Sequence, residues 1–283
     1  MSMTEHKPLI EKRLGELVRG EDRLHEAMSY SLLAPGKRLR PLLLLEFCRL
    51  CGGDTDAALD AACAVEMLHT YSLIHDDMPC MDDDDLRRGL PTNHIVYGEW
   101  LAMLAGDALQ AEAFSAVLNA PLPYDRRCRA AQLLAAAAGA EGICMGQFLD
   151  LDGEGKSLRE DEIDLLNMKK TSALIEAACA MGCVCAGRGE KERDAKAFGA
   201  ALGRAFQLRD DLMDIELSSE QMGKNAGSDE RNGKATLVSL LGAARCREII
   251  RGATEEAAGI LRRSFPGSEE LEQLTLSLAE RKN

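Results

Sequence analysis

The sequence predicts an all-α fold in one domain spanning residues 1–283. Apolar residues recur at helical rather than alternating spacing along most of the chain, with no strand pattern, repeat or convincing linker. Aromatic residues make up only 4% while Ala, Leu and Met abound, which favours helix packing over a β-sandwich. Glycine and proline punctuate the apolar runs at intervals that suit helix ends. The 46% hydrophobic and 29% charged content is ordinary for a globular protein, and 283 residues suffice for one large domain.

Residues 5–19 and 21–33 read as two amphipathic helices separated near Gly20. The turn Ala34-Pro35-Gly36 leads into Lys37, Arg38 and Arg40, and Pro41 opens the leucine run 42–45 from the first helical turn, where proline is well placed. Gly52-Gly53 stops that helix, and Asp54 or Thr55 can cap the next, about 55–78, whose composition marks it as buried. Gly89 to Asn93 is expected to be a turn, followed by a helix over 97–119 that Pro121 and Pro123 end. Further helices are expected over 124–150, 159–187 and 190–216. Residues 218–234 are polar, charged and Gly-containing, which predicts a long mobile loop. Two or three shorter helices finish the chain.

The formal charge of −13 argues against a nucleic-acid partner, which needs a basic surface. No run of about 18 consecutive apolar residues predicts a membrane span, and the N-terminus lacks an apolar signal core. Ten cysteines are then expected to be reduced thiols in a cytoplasmic, helical core. Cys48 and Cys51 form a C-x-x-C, and Cys179, Cys183 and Cys185 cluster, but neither set has a second half at zinc spacing, so packing is the expected role.

The chemistry concentrates in residues 69–88. Six aspartates, Asp76, Asp77, Asp82, Asp83, Asp84 and Asp85, fall in ten positions and end at Arg87 and Arg88. Carboxylates this dense repel one another and need a positive partner near a core. A solvated acidic loop is one reading; a hard divalent cation sharing oxygen ligands with phosphate is the other. A second cluster, Asp210, Asp211 and Asp214, favours the cation. Asp210 and Asp214 share a helical face, with Cβ atoms about 6 Å apart. Asp76 and Asp82 would lie roughly 120° out of register in a continuous helix, but Pro79 disfavours helix at Met78 and should swing Asp82 back towards Asp76.

These motifs resemble those of the trans-isoprenyl diphosphate synthases, within them the bacterial farnesyl diphosphate synthase type. D-D-M-P-C-M-D resembles the long form of the family's first aspartate-rich motif, and D-D-L-M-D the second. G-K-R-L-R-P at 36–41, Arg87-Arg88, Lys170-Thr171, Gln207 and Gly223-Lys224 follow in the family's order, over about residues 30–240; Ser172 stands where the family usually has glycine. The resemblance implies a bundle of roughly ten or more helices around a deep central cavity, and a homodimer. It implies that Lys37, Arg40, His69 and Arg88 hold isopentenyl diphosphate. The allylic diphosphate would fall to Arg87, Lys170 and Lys224, and to magnesium, three ions with manganese as a substitute, on Asp76, Asp77, Asp82, Asp210, Asp211 and Asp214. Thr171 and Gln207 would face the allylic cation, Lys234 could close the site with Lys224, and Gln147 and Asp150 would stand behind the acids. The implied reaction is electrophilic prenyl transfer, with the departing diphosphate as proton acceptor.

Tyr71 lies five residues before Asp76, about one turn deeper along the helix (roughly 6 to 8 Å). An aromatic residue there goes, in the family, with a fifteen-carbon product; ordinary core is the plainer reading of the same ring. Longer or shorter products, a terpene cyclase and a non-catalytic helical partner subunit are the competing readings. The second acid cluster and the basic segment weigh against the last two.

Overall fold

The computed structural model describes residues 3–216 and 234–280. Helices α1 (Met3–Leu17), α2 (Arg23–Leu32), α3 (Leu39–Leu50) and α4 (Leu59–Asp76) lead to the first acid cluster, and α5 (Asn93–Tyr97), α6 (Glu99–Asn119), α7 (Tyr124–Ala138) and α8 (Ile143–Gly153) follow. Then come α9 (Glu160–Asn167), a π-helical turn at Met168–Ser172, α10 (Ala173–Cys185), a 3-10 turn at Gly189–Lys191 and α11 (Glu192–Glu216). The chain finishes with α12 (Leu237–Leu241), α13 (Ala243–Ser264) and α14 (Glu269–Glu280). This is the all-α architecture expected, with four local departures.

The expected turn at 89–93 is a two-stranded antiparallel hairpin, β1 (Leu86–Arg87) with β2 (Leu90–Pro91), and Asn93 already begins α5. Its central residues Arg88 and Gly89 both take positive φ, 55° and 77°, the geometry that reverses a chain in two residues. The single helix expected over 124–150 breaks between α7 and α8. Gly142 sits at φ −134°, ψ −125°, and a Cβ there would lie 2.0 Å from the Ala137 carbonyl. The helix expected over 159–187 runs unbroken from Glu160 to Cys185 but widens to a π-helical turn at Met168–Ser172. Among the closing helices, α13 is long, at 22 residues.

Helices α4 and α6 pack along their lengths, as do α10 with α11, α3 with α10, and α11 with α13. The core shared by α3, α10, α11 and α13 includes Phe47, whose ring meets Phe198 at 5.2 Å and Phe265 at 4.8 Å. Cys48, Cys51, Cys63, Cys179, Cys183, Cys185 and Cys246 are buried as free thiols, in keeping with packing, whereas Cys80 and Cys144 are exposed and Cys128 is half-buried, outside the core expected for all ten. Helix α6 is long and apolar enough to cross a membrane by length and composition, yet 44% of its apolar window is buried inside the bundle and it carries Asp107 and Glu112. Its outer face, with α5, exposes Ile95, Val96, Trp100, Met103, Leu104 and Leu118.

Candidate active site

Helix α4 ends at Asp76, and the chain doubles back through Pro79 as its proline requires. The Asp82 amide donates to the Asp76 carbonyl at 2.9 Å and the Met81 amide to Met78 at 2.8 Å, so Asp82 returns beside Asp76. Asp76, Asp77 and Asp84 are buried, whereas Asp83 and Asp85 point to solvent, so the run divides between the site and the surface.

The buried acids are paired with the chain's own cations. Lys170 Nζ donates to Asp150 Oδ2 at 2.6 Å and lies 3.5 Å from Asp76 Oδ1. Lys234 Nζ donates to Asp82 Oδ1 at 2.7 Å and to the same Asp150 Oδ2 at 3.0 Å. The result is a chain of alternating charge, Asp76–Lys170–Asp150–Lys234–Asp82. Gln147 donates from Nε2 to Asp76. Arg87 donates from Nε to Asp77 at 2.8 Å and from Nη2 to Asp84 at 3.3 Å, with Asp76 4.0 Å away.

Ionisation follows from this arrangement. Burial opposes charge on Asp76, but Lys170, Arg87 and Lys234 outweigh it and hold the carboxyl below its ordinary range. Asp150 is lowered against burial by Lys170 and Lys234. Burial wins at Asp77, which is pushed up to about 7 despite Arg87. At Asp82 burial and the neighbouring Asp76 together raise the carboxyl. Burial would lower Lys170, but Asp76, Asp150 and Asp82 keep its ammonium charged.

Opposite these acids, the π-helical turn carries Lys170 and Thr171. Thr171 Oγ1 donates to Gln207 Oε1 at 2.5 Å, and Gln207 Nε2 donates to Asp211 Oδ1 at 2.8 Å. That relay ties the turn to the second acid cluster on α11, where Asp211 and Asp214 are buried and Asp210 is partly so. The turn is pressed close to α8: a Cβ on Gly146 would lie 2.3 Å from the Lys170 amide nitrogen.

A second cation group sits beside the acids. Arg40 Nη1 donates to His69 Nε2 at 3.2 Å. Arg38 Nη1 donates to Glu66 Oε1 at 2.9 Å, and Arg88 Nη2 lies 3.6 Å from the same oxygen. Burial, then Arg40 and Arg88, pushes the His69 imidazole well below its usual range, so it is neutral. Arg40 lines a cleft with His69, Ser72, Asp76, Gln147, Lys170 and Thr171, about 460 Å³ and open to solvent. It also feels the charge of Asp210, so the second acid cluster lies within electrostatic reach of this cleft.

The residues expected from sequence therefore largely gather here. Lys37 is exposed. Tyr71 is buried on α4, within interaction range of Gln110 of α6 and Cys144 of α8, and does not line the cleft that Ser72, Ile143 and Leu174 help to form. Lys224 and Gly223, with the rest of the expected loop up to 233, lie outside the described residues. Sequence reading missed Glu66 and the role of Asp84. A lone glutamate within Cys63–Leu68, an otherwise apolar stretch, was the available signal, because a buried carboxylate requires a cation.

Among the described residues no three donor side chains stand grouped at metal-binding spacing. The candidate donors are all carboxylates, and those of the first cluster are paired with the chain's own cations. Such an oxygen set fits a hard divalent cation that brings further ligands from phosphate.

A model of the polyprenyl synthetase family matches residues 21–274. The chain is 45% identical over 267 residues to a farnesyl diphosphate synthase of Geobacillus stearothermophilus, covering 92% of this chain and 90% of that one. It is 46% identical to the chloroplastic geranylgeranyl pyrophosphate synthase 11 of Arabidopsis thaliana, covering 83% and 68% of the two chains. A geranyltransferase of Helicobacter pylori, solved with magnesium and isoprenyl diphosphate, superposes with a TM-score of 0.86 at 31% identity, covering 98% and 95%.

Proposed function

The chain belongs to the polyprenyl synthetase family, and from that premise we propose head-to-tail transfer of an allylic group onto isopentenyl diphosphate, with farnesyl diphosphate as the product. The observation that carries the reading is a pair of neighbouring groups, the acid-rich Asp76–Lys170–Asp150–Lys234–Asp82 chain, suited to a metal-bridged diphosphate, and the cationic Arg40–His69–Arg88 group, suited to a second one. One site suffices for a protein that ionises a single diphosphate; two suit a reaction that joins a pair.

Magnesium held by Asp76, Asp77 and Asp82 on one side and Asp210, Asp211 and Asp214 on the other would supply neutralisation of the leaving diphosphate. The remaining work falls to side chains. Lys170 and Arg87, charged at all working pH, donate to diphosphate oxygens as the allylic C–O bond breaks; Lys224 and Lys234 are assigned the same task. The Thr171 hydroxyl and Gln207 carbonyl, fixed by their mutual hydrogen bond, turn oxygen dipoles towards the developing allylic cation. Arg40, Arg88 and Lys37 hold isopentenyl diphosphate, and neutral His69 accepts from Arg40, which aims the guanidinium without adding a competing charge. Apolar Ile143 and Leu174 keep water from the cation. No side chain is placed as the final base, so that proton passes to the departing diphosphate.

Tyr71 is taken as the floor that stops growth at fifteen carbons, and a homodimer as the assembly, formed through the apolar face of α5 and α6. Incubating purified protein with magnesium, isopentenyl diphosphate and each allylic starter, with products resolved by mass, tests the whole reading. Farnesyl diphosphate is the expected product, and it should be absent when isopentenyl diphosphate is withheld. Hydrocarbon from the allylic substrate alone would indicate a cyclase, and no turnover a non-catalytic subunit. Trp100→Asp should lower the mass measured by light scattering to that of one chain.

A further inference from the structure

We propose that Gly106 and His75 set the depth of the prenyl pocket by holding Tyr71 in position. This rests on the reading of Tyr71 as the pocket floor.

Tyr71 and His75 are four residues apart on α4, and their rings meet edge to face at 5.6 Å with planes 84° apart. The imidazole is held from the other side: Nε2 donates to the Met103 carbonyl of α6 at 3.0 Å. That position exists because residue 106 has no side chain. A Cβ on Gly106 would lie 2.2 Å from His75 Nε2, 2.5 Å from Cδ2 and 3.0 Å from Cε1, so the ring fills the space a side chain would take. A mid-helix glycine costs about 0.5–1 kcal/mol relative to alanine, and α6 otherwise uses alanine at 102, 105, 108, 111, 113 and 116. One turn further along the same helix, Gln110 comes within interaction range of the Tyr71 phenol, as does Cys144 of α8.

Tyr71 is thus fixed at both ends. Gln110 and Cys144 lie within interaction range of its hydroxyl, and His75 blocks the direction in which the ring could swing between α4 and α6. Without the imidazole the phenol ring can rotate into the vacated space, and the cavity beyond Ser72 deepens. His75 and Gly106 are positioning residues; neither need touch substrate.

The test is the ratio of twenty- to fifteen-carbon product, with geranyl diphosphate as starter, isopentenyl diphosphate in excess, and magnesium. That ratio does not depend on how much active enzyme is present. His75→Ala should raise it about fivefold or more, an effect of the size of one contact in an apolar pocket. His75→Phe restores a ring edge against Tyr71 and should return the ratio towards the parent value. Gly106→Ala evicts the imidazole and should raise the ratio as His75→Ala does, while adding nothing in a His75→Ala background. A parent-like ratio in His75→Ala, alongside longer products from Tyr71→Ala, overturns the inference and leaves the floor intact. Failure of His75→Phe to restore the ratio also overturns it. Unchanged product length in Tyr71→Ala removes the floor itself, and this inference with it. If Gly106→Ala does not fold, the two His75 variants decide alone.

Discussion

Replacing Gly146 by alanine separates position from chemistry at Lys170. The added Cβ would lie 2.3 Å from the Lys170 amide nitrogen and 2.4 Å from its Cα, where ordinary contact begins at 3.4 Å. The deficit, 3.4 − 2.3 = 1.1 Å, falls on backbone atoms, so α8 and the π-helical turn must part by about that distance. Asp150 lies on α8 and Lys170 on the turn, so the 2.6 Å contact between them opens by a similar amount. Displacement of a charge-stabilising group by about 1 Å is worth on the order of 100-fold in rate. Overpacking costs about 1–3 kcal/mol, partly offset by about 0.5–1 kcal/mol of helix propensity. At roughly 2.1 cal/mol/K per residue of unfolding entropy, the chain of 283 residues would then melt only about 1–4 °C lower. Steady-state kinetics with both substrates, together with calorimetry, should therefore find a folded protein with kcat about 100-fold lower and a smaller change in KM for isopentenyl diphosphate. A kcat within about threefold of the parent in a folded Gly146→Ala protein would refute the idea that the α8 contact fixes Lys170.

Other outcomes follow from the same contacts. Glu66→Gln leaves Arg38 and Arg88 without their shared carboxylate; loss of a buried charge partner costs about 3–5 kcal/mol, and the retained amide oxygen favours the low end, so Tm should fall by about 5 °C in calorimetry. Glu176 is pushed up to about 7 by burial, ahead of the opposing pull of Lys196 and Lys169. An acid raised on folding contributes stability below its unfolded value of 4.5 and loses it as pH rises towards 7. Glu176→Gln should accordingly stabilise the protein at pH 8 and leave it little changed at pH 4.5, read from urea unfolding at each pH. Chelation of divalent cations should abolish product formation, and added magnesium should restore it, measured by release of diphosphate.

Local rules were sufficient where the cause is local. Pro79 ended α4 and brought Asp82 beside Asp76, as the restricted backbone around a proline demands. The four-residue spacing of Asp210 and Asp214 placed both on one stretch of α11. The hairpin at 86–91 was invisible, because two-residue strands are too short to show alternation, and Arg88 gives no sign in sequence of its positive φ. The widened turn at 168–172 was equally hidden. It lies where Gly146 closely approaches Lys170 and Gly203 approaches Ser172, each from another helix. A contact between distant segments leaves no periodic trace in either one.

The same distinction explains the charges. Sequence alone showed too many acids in too little space and so required cations, but not which ones. In the fold, Lys170 and Lys234 supply them from segments 20 and 84 positions away from Asp150, and Glu66 serves Arg38 and Arg88 in the same manner. Acids buried this deeply cannot remain ionised beside one another unpaired, and here Lys170, Lys234 and Arg87 are their partners. An incoming diphosphate can take Lys170 or Lys234 only by drawing an ammonium off a carboxylate, and that carboxylate must then pass to another cation. Substrate and divalent ion should therefore enter as linked events. Each makes room for the other in a site whose acids already hold the chain's own cations.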